Sequence, residues 1–174
     1  MKILVINGPN LNLLGVREKG IYGSQNYYDL VKEVKEKGKA LGAEVEVFQS
    51  NSEGELIDKI HSAYGQFDGM VINPGAYTHY SYAIYDAILS VSIPTIEVHI
   101  SNIHKREEFR RKSVIAPACV GQVCGLGFKG YGYAMEYLVS TINSAQEWGH
   151  KAKVWNVLSL QGLMRVAFSL TFLY

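Results

Sequence analysis

The chain of 174 residues is about the size of one domain and long enough to bury a single substantial core. Its 48% hydrophobic and 19% charged residues exclude a disordered chain, and 17 basic against 16 acidic residues, a net charge of +1, give no electrostatic case for binding nucleic acid or an anionic membrane. Cys119 and Cys124, the only cysteines, are too few for a disulfide scaffold and form no CxxC pair, which favours a reducing compartment.

The opening "MKILVINGPN" runs directly into a strand without the charged, apolar and cleavage regions of a signal peptide, so a cytoplasmic enzyme or binding domain is expected. Lys2–Asn7 is a short apolar run ended by Gly8-Pro9, the pattern of a buried parallel strand. From Asn26, Leu30, Val31, Val34, Gly38 and Leu41 recur at helical spacing, with Gly42 as the stop. The alternating, valine-rich Ala43–Ser50 is a second strand. Ser52 and Glu55 have the spacing of a capping box, followed by Leu56, Ile57, Ile60, Ala63 and Tyr64 at helical intervals. "DGMVINPG" is a third strand, and Ala83, Ile84, Ala87 and Ile88 then share a helical face. Pro94 opens a fourth strand, "PTIEVHI"; "ACVGQVCGLG" is a fifth, leading into a helix with Tyr131, Ala134, Leu138 and Ile142. Strands alternating with amphipathic helices predict an α/β fold with a parallel sheet covered on both faces. Such sheets place their sites beyond the carboxyl ends of the strands. The polar segments Asn7–Gly23, Asn73–Tyr82 and His99–Arg111 follow, or begin at the ends of, strands one, three and four, which predicts one shared cleft.

Within Asn7–Gly23, Arg17 and Tyr22 could form a proton-abstracting pair. A free tyrosine is roughly one-thousandth phenolate at neutral pH. A neighbouring guanidinium favours the anion, and a shift of about two units requires about 2.7 kcal/mol. Twelve tyrosines occur in the chain, however, and most tyrosines pack. His79, His99 and His104 lie in the cleft segments, where each could be a general acid or an ordinary hydrogen-bonding histidine. Metal binding is weakly supported, because "HISNIH" spaces its histidines by five and has no cysteine cluster beside it. "HKREEFRRKS", interrupted by Glu107 and Glu108, fits a solvated helical face; a single arginine turned inward would clamp a carboxylate. "NGPNLNLLG" lacks the spacing of a phosphate loop, so nucleotide binding is not supported.

"NGPNLNLLGVRE…YG", "NPGAYTHYS", "EVHISNIHKREEFRRKS" and "GLGFKGY" together, over residues 2 to 145, closely resemble type II 3-dehydroquinate dehydratase. The resemblance implies a flavodoxin-like three-layer sandwich with a five-stranded parallel sheet, assembled through trimers into a dodecamer. It implies a lyase of the shikimate pathway, in aromatic amino acid biosynthesis, that needs no cofactor or metal. The reaction is anti-elimination of water from 3-dehydroquinate through an enolate, giving 3-dehydroshikimate. Tyr22 matches the family's base, Arg17 the loop arginine that lowers its pKa, and Asn10 the asparagine holding a water at the enolate oxygen. His99 matches the general acid, with Glu97 as its supporting carboxylate. Asn73, His79 and Arg110 match positions that hold substrate hydroxyls and carboxylate, and the backbone at Ile100 and Ser101 matches the carboxylate-binding turn. Asp86 matches a residue contributed by a neighbouring subunit.

Two positions depart from the family pattern: Lys19 stands where a proline is common, and Tyr80 where a small threonine is common. The resemblance assigns residues 1–147 to a catalytic domain and leaves 148–174 as an apolar C-terminal extension. By length that tail fits a transmembrane helix, which Arg165, Asn156 and Gln161 penalise; it also fits a docked amphipathic helix or a non-native extension. No catalytic role is expected of it. The rival reading of the whole chain is a flavodoxin-like module that binds a flavin or catalyses nothing, since fold alone does not separate the two.

Overall fold

β1 (Lys2–Asn7), β2 (Glu44–Gln49), β3 (Gly69–Asn73), β4 (Thr95–His99) and β5 (Gly121–Cys124) form one parallel sheet in the order β2-β1-β3-β4-β5. The structure is a computed structural model that describes residues 1–16 and 25–144. Its strand order is the flavodoxin-like one, with the topological switch between β1 and β3. Ile3 to Ile6 and Met70 to Ile72 have no solvent exposure, as strands covered on both faces require.

Among the described residues four α-helices accompany the strands: α1 (Tyr27–Ala40), α2 (Glu53–Ser62), α3 (Tyr82–Val91) and α4, residues 129–144. Asn26 and Asp29 form a reciprocal capping box at the start of α1, and Gly42, at φ 68°, turns the chain away after it. On one sheet face Leu4, Ile6, Met70 and Ile72 pack with Leu56 and Ile60 of α2 and with Ile84 and Ile88 of α3. The alternate strand residues meet α1 and α4. Gly38 lets α1 lie against β2, where an added Cβ would come within 2.2 Å of Val45 Cγ2, and Gly130 lets α4 approach Val98.

Several local expectations need correction. Ser52 caps α2 through its side chain, but the Glu55 carboxylate bonds the Ser50 hydroxyl instead of returning to the cap. Tyr64 lies beyond the end of α2, where the chain turns at Gly65, and is exposed. Ala83 is also exposed, because the buried stripe of α3 is Ile84, Ala87, Ile88 and Val91. The basic run after β4 is not a helical face: it folds as two 3-10 turns, Ile103–Lys105 and Glu108–Arg110. β5 is shorter than its apolar segment, since Ala118 closes the 3-10 turn Ala116–Ala118 and Gly125, at φ 82°, turns the chain after Cys124.

The chain divides into two compact units, Met1–Val139 and Ser140–Tyr174. In the first, α4 buries Tyr131, Ala134, Met135 and Leu138. In the second, the described residues 140–144 are helical, with the Ser144 hydroxyl bonded to the Ser140 carbonyl. Among the described residues no helix is long and apolar enough to cross a membrane.

Candidate active site

The ends of β1 and β3 are pressed together. Asn7 pairs in register with Asn73, and the Gly8 N–H donates to the Asn73 carbonyl at 2.7 Å. A Cβ on Gly8 would stand 2.4 Å from the Pro74 carbonyl oxygen, so only glycine fits. Asn10 follows in the left-handed region at φ 66°, its N–H donating to Asn51 Oδ1. At the end of β4, the His99 and Ile100 carbonyls accept from the N–H groups of Gly125 and Gly127 at 3.0 and 3.1 Å. The turn at Ile100-Ser101 is thereby fixed against the loop after β5.

These strand ends enclose a cleft of ≈ 230 Å³. Asn10, Asn73, His79, His99, Ile100, Ser101 and Arg110 all line it, and Arg106 joins them. Among the described residues no carboxylate lines the cleft, and the charged groups there, Arg106 and Arg110, favour an anion. Arg106 and Arg110 share Glu107 at its rim, at 3.5 and 3.4 Å. Glu107 is held below the usual carboxylate range by its own backbone N–H, with the two arginine charges adding to that. The Arg110 Nε contact to Glu107 is an ion pair only; among the described residues this buried nitrogen makes no hydrogen bond. His79 Nδ1 lies 2.8 Å from the Lys112 carbonyl, which can only accept, so Nδ1 carries the proton and Nε2 is left for a ligand.

Behind His99 sits Glu97, with no solvent exposure. His99 Nε2 meets Glu97 Oε1 at 2.6 Å, the Thr78 hydroxyl bonds the same oxygen, and the Ser113 hydroxyl lies 2.9 Å from Oε2. Burial pushes the Glu97 carboxyl upward. The hydrogen bond and charge of His99, then the Thr78 and Ser113 hydroxyls, outweigh that push and hold it below its ordinary range. The group is therefore a carboxylate that accepts from every side. It fixes Nε2 as the donor and leaves Nδ1 as the ring nitrogen free for chemistry. Both cysteine thiols stay protonated at neutral pH. Burial, with the Glu97 charge adding to it, pushes Cys119 up to about 12 and Cys124 to about 11.

Of the residues expected from sequence, Asp86 stands apart: it is on the exposed side of α3 and does not line the cleft of its own chain. Arg17, Tyr22 and Lys19, and the tail 148–174, lie outside the described residues. Tyr80 is 60% exposed and packs edge-on against Tyr77, with ring centroids 5.7 Å apart. The sequence reading passed over Thr78, Arg106 and Ser113. All three lie inside segments already singled out by their polarity, but only the fold reveals that two of their hydroxyls converge on Glu97. It also passed over the hydroxyl of Tyr131, assigned to packing by its helical spacing; it donates to Asn7 Oδ1 at 2.7 Å and accepts from Asn73 Nδ2 at 2.8 Å.

A family model described as dehydroquinase class II matches residues 1–139. The chain is 69% identical over 131 residues to a 3-dehydroquinate dehydratase of Clostridium acetobutylicum, a match covering 75% of this chain and 91% of that protein. It is 63% identical over 145 residues to a 3-dehydroquinate dehydratase of Clostridium perfringens, covering 83% and 99% respectively. Among solved structures, the type II dehydroquinase of Butyrivibrio crossotus superposes with a TM-score of 0.78 at 62% identity, covering 79% of this chain and 97% of that one. The type II dehydroquinase of Propionibacterium acnes superposes with a TM-score of 0.77 at 47% identity, covering 80% and 96%.

Proposed function

This chain belongs to the dehydroquinase class II family and dehydrates 3-dehydroquinate, and we propose that it does so by stepwise anti-elimination with Tyr22 as base and His99 as acid. The observation that carries the acid half is the buried Glu97–His99 pair at 2.6 Å, with His99 lining the cleft. Tyr22, ionised beside Arg17, removes the proton next to the ketone. The electrons of that C–H bond form the enolate, whose oxygen is stabilised by a water held at Asn10. The enolate electrons then re-form the ketone and build the ring double bond as the C–O bond to the departing hydroxyl breaks. His99 protonates that hydroxyl through Nδ1, so water leaves and 3-dehydroshikimate remains. Glu97 stabilises the imidazolium before transfer and keeps the ring in one orientation.

Arg110 takes the substrate carboxylate together with the backbone of Ile100 and Ser101. Asn73 and His79 bind hydroxyls. The cleft volume supports a single-ring acid over a flavin, since ≈ 230 Å³ falls below the range of about 300–1,000 Å³ usual for larger organic ligands. Asp86 lies with Tyr82 and Leu89 on one exposed stripe of α3, at i, i+4 and i+7. That exposed stripe leaves Asp86 available to a neighbour's cleft, as assembly through trimers into a dodecamer, the arrangement the family resemblance implies, requires. Two free cysteines favour the cytoplasm as the enzyme's compartment. The relatives' lengths are almost wholly covered by 131 to 145 residues of this chain, which supports a catalytic domain over 1–147 and no chemical part for 148–174.

Tyr22→Phe tests the reading. Formation of the conjugated enone, followed by ultraviolet absorbance, should fall at least a hundredfold, within the span of about 10²–10⁴ expected for a lost general base. Substrate binding, measured calorimetrically, should persist. A turnover rate close to wild type would assign the proton abstraction to another group.

A further inference from the structure

The side chains of Asn7, Tyr131 and Asn73 form a hydrogen-bonded series that begins in the core and ends in the cleft. Asn7 and Tyr131 have no solvent exposure, and Asn73 has 3%. Burial holds the Tyr131 phenol far above its usual pKa, so its oxygen carries one proton at every working pH. That proton goes to Asn7 Oδ1 at 2.7 Å. The phenol oxygen is then only an acceptor toward Asn73, whose Nδ2 donates to it at 2.8 Å. At the other end of the amide, Asn73 Oδ1 accepts from the Gly75 N–H at 3.2 Å. Turning the Asn73 amide over would set its NH₂ against the Gly75 N–H and its carbonyl oxygen against a phenol whose proton is already committed. Both contacts would be lost, and each leaves a buried polar group without a partner.

We infer that Tyr131, fixed by Asn7, is a positioning residue for the reaction: it locks the Asn73 amide so that its second N–H, and not its carbonyl, is presented to substrate. Among the described residues no protein acceptor takes that N–H, and Asn73 lines the cleft. The group it selects is therefore an acceptor, such as the oxygen of a substrate hydroxyl. The inference rests on the reading of Asn73 as a substrate contact. It adds a residue more than fifty positions away in sequence, on α4, that never touches substrate.

A double-mutant cycle separates the two. Tyr131→Phe retains the ring in its fully buried place and removes only the hydroxyl. It should lower kcat/KM about tenfold, the equivalent of one hydrogen bond, mainly through KM. In an Asn73→Ala background the same change should have less than about a twofold effect, because the amide it holds is gone. Equal losses in both backgrounds would mean that Tyr131 acts only through stability, and would overturn the inference. So would an unchanged KM in Tyr131→Phe when Asn73→Ala alone raises it. An Asn73→Ala enzyme of unaltered KM would overturn the substrate contact itself, and the inference with it. Should Tyr131→Phe fail to fold, Asn7→Ala is read through the same cycle. It keeps the phenol but frees its proton to turn toward Asn73, releasing the amide, and the same coupling to Asn73→Ala is expected.

Discussion

Glu97→Gln removes one charge while leaving almost every contact in place, and the geometry shows why. Oε1 carries the bonds from His99 and Thr78 and a share of the Ser113 hydroxyl at 3.0 Å, whereas Oε2 meets Ser113 alone, at 2.9 Å. A glutamine whose carbonyl occupies the Oε1 position keeps the first two donors. Its NH₂, in the Oε2 position, meets a Ser113 hydroxyl that already accepts from the Ile115 and Ala116 N–H groups at 3.2 and 2.9 Å. One hydrogen bond is weakened, so the folding cost is about 1 kcal/mol. The chemical cost is larger. The bond from His99 is charge-assisted in the imidazolium form, worth about 1.5–3 kcal/mol against a neutral partner's half of that. Losing the charge costs about 0.75–1.5 kcal/mol of that bond and should lower kcat by roughly four- to thirteenfold, with KM nearly unchanged because Glu97 is shielded from the cleft by His99. The assay is the rise in enone absorbance from 3-dehydroquinate, beside a thermal melt to confirm the fold. A folded Glu97→Gln enzyme of wild-type kcat would refute the role of the carboxylate and, with it, the choice of His99 as acid.

Arg110→Ala should raise KM by roughly ten- to a hundredfold, the loss of a charge-assisted bond to the substrate carboxylate, with a smaller change in kcat; steady-state kinetics that leave KM unmoved would transfer the clamp to Arg106. Gly8→Ala forces a Cβ to 2.4 Å from a backbone oxygen that cannot yield cheaply, so denaturant melts should show a loss of about 1–3 kcal/mol, with activity falling as Asn10 shifts. Acid should weaken the wild-type fold through Glu97. Its folded pKa is depressed, so the unfolded chain binds the proton first; the stability it lends is present above the ordinary glutamate range and is lost as pH falls through the folded value. Urea midpoints should therefore drop more between pH 7 and pH 3 in wild type than in Glu97→Gln, and equal drops would contradict this.

The order and type of the elements were legible because β1, β3 and β4 are uninterrupted apolar runs and α1 to α3 carry clear stripes. What periodicity missed was local. Tyr64 and Ala83 satisfy an apolar count yet face water, because α2 ends at Ser62 in one case and the buried stripe of α3 begins at Ile84 in the other. The arginine-rich run suggested a helix, but two short 3-10 turns serve better to lay Arg106 and Arg110 along a cleft wall. The cleft itself was foreseeable from the polar segments at the strand ends. The convergence of Thr78 and Ser113 on Glu97 was not, since it joins three stretches by tertiary contact with no spacing rule between them. Tyr131 was hidden by its own chemistry: a buried aromatic at helical spacing reads as core whether or not its hydroxyl is at work.

The strand order also bears on the stereochemistry. In a sheet that runs β1-β3-β4, the loop leaving β1 and the end of β4 flank the end of β3 on its two sides. Neighbouring strands lie about 4.8 Å apart, so the β1 and β4 ends are separated by about 9.6 Å. That span holds one six-membered ring with a hydrogen-bonding side chain in contact on each flank. A ring seated over the end of β3, beside Asn73 and the His79 of the turn that follows, thus has groups from the β1 loop on one side and His99 on the other. Syn elimination needs base and acid on the same side of the ring. Anti elimination needs them opposed, and the proposed base on the β1 loop and acid at the end of β4 come from opposite flanks of β3, which is consistent with that course.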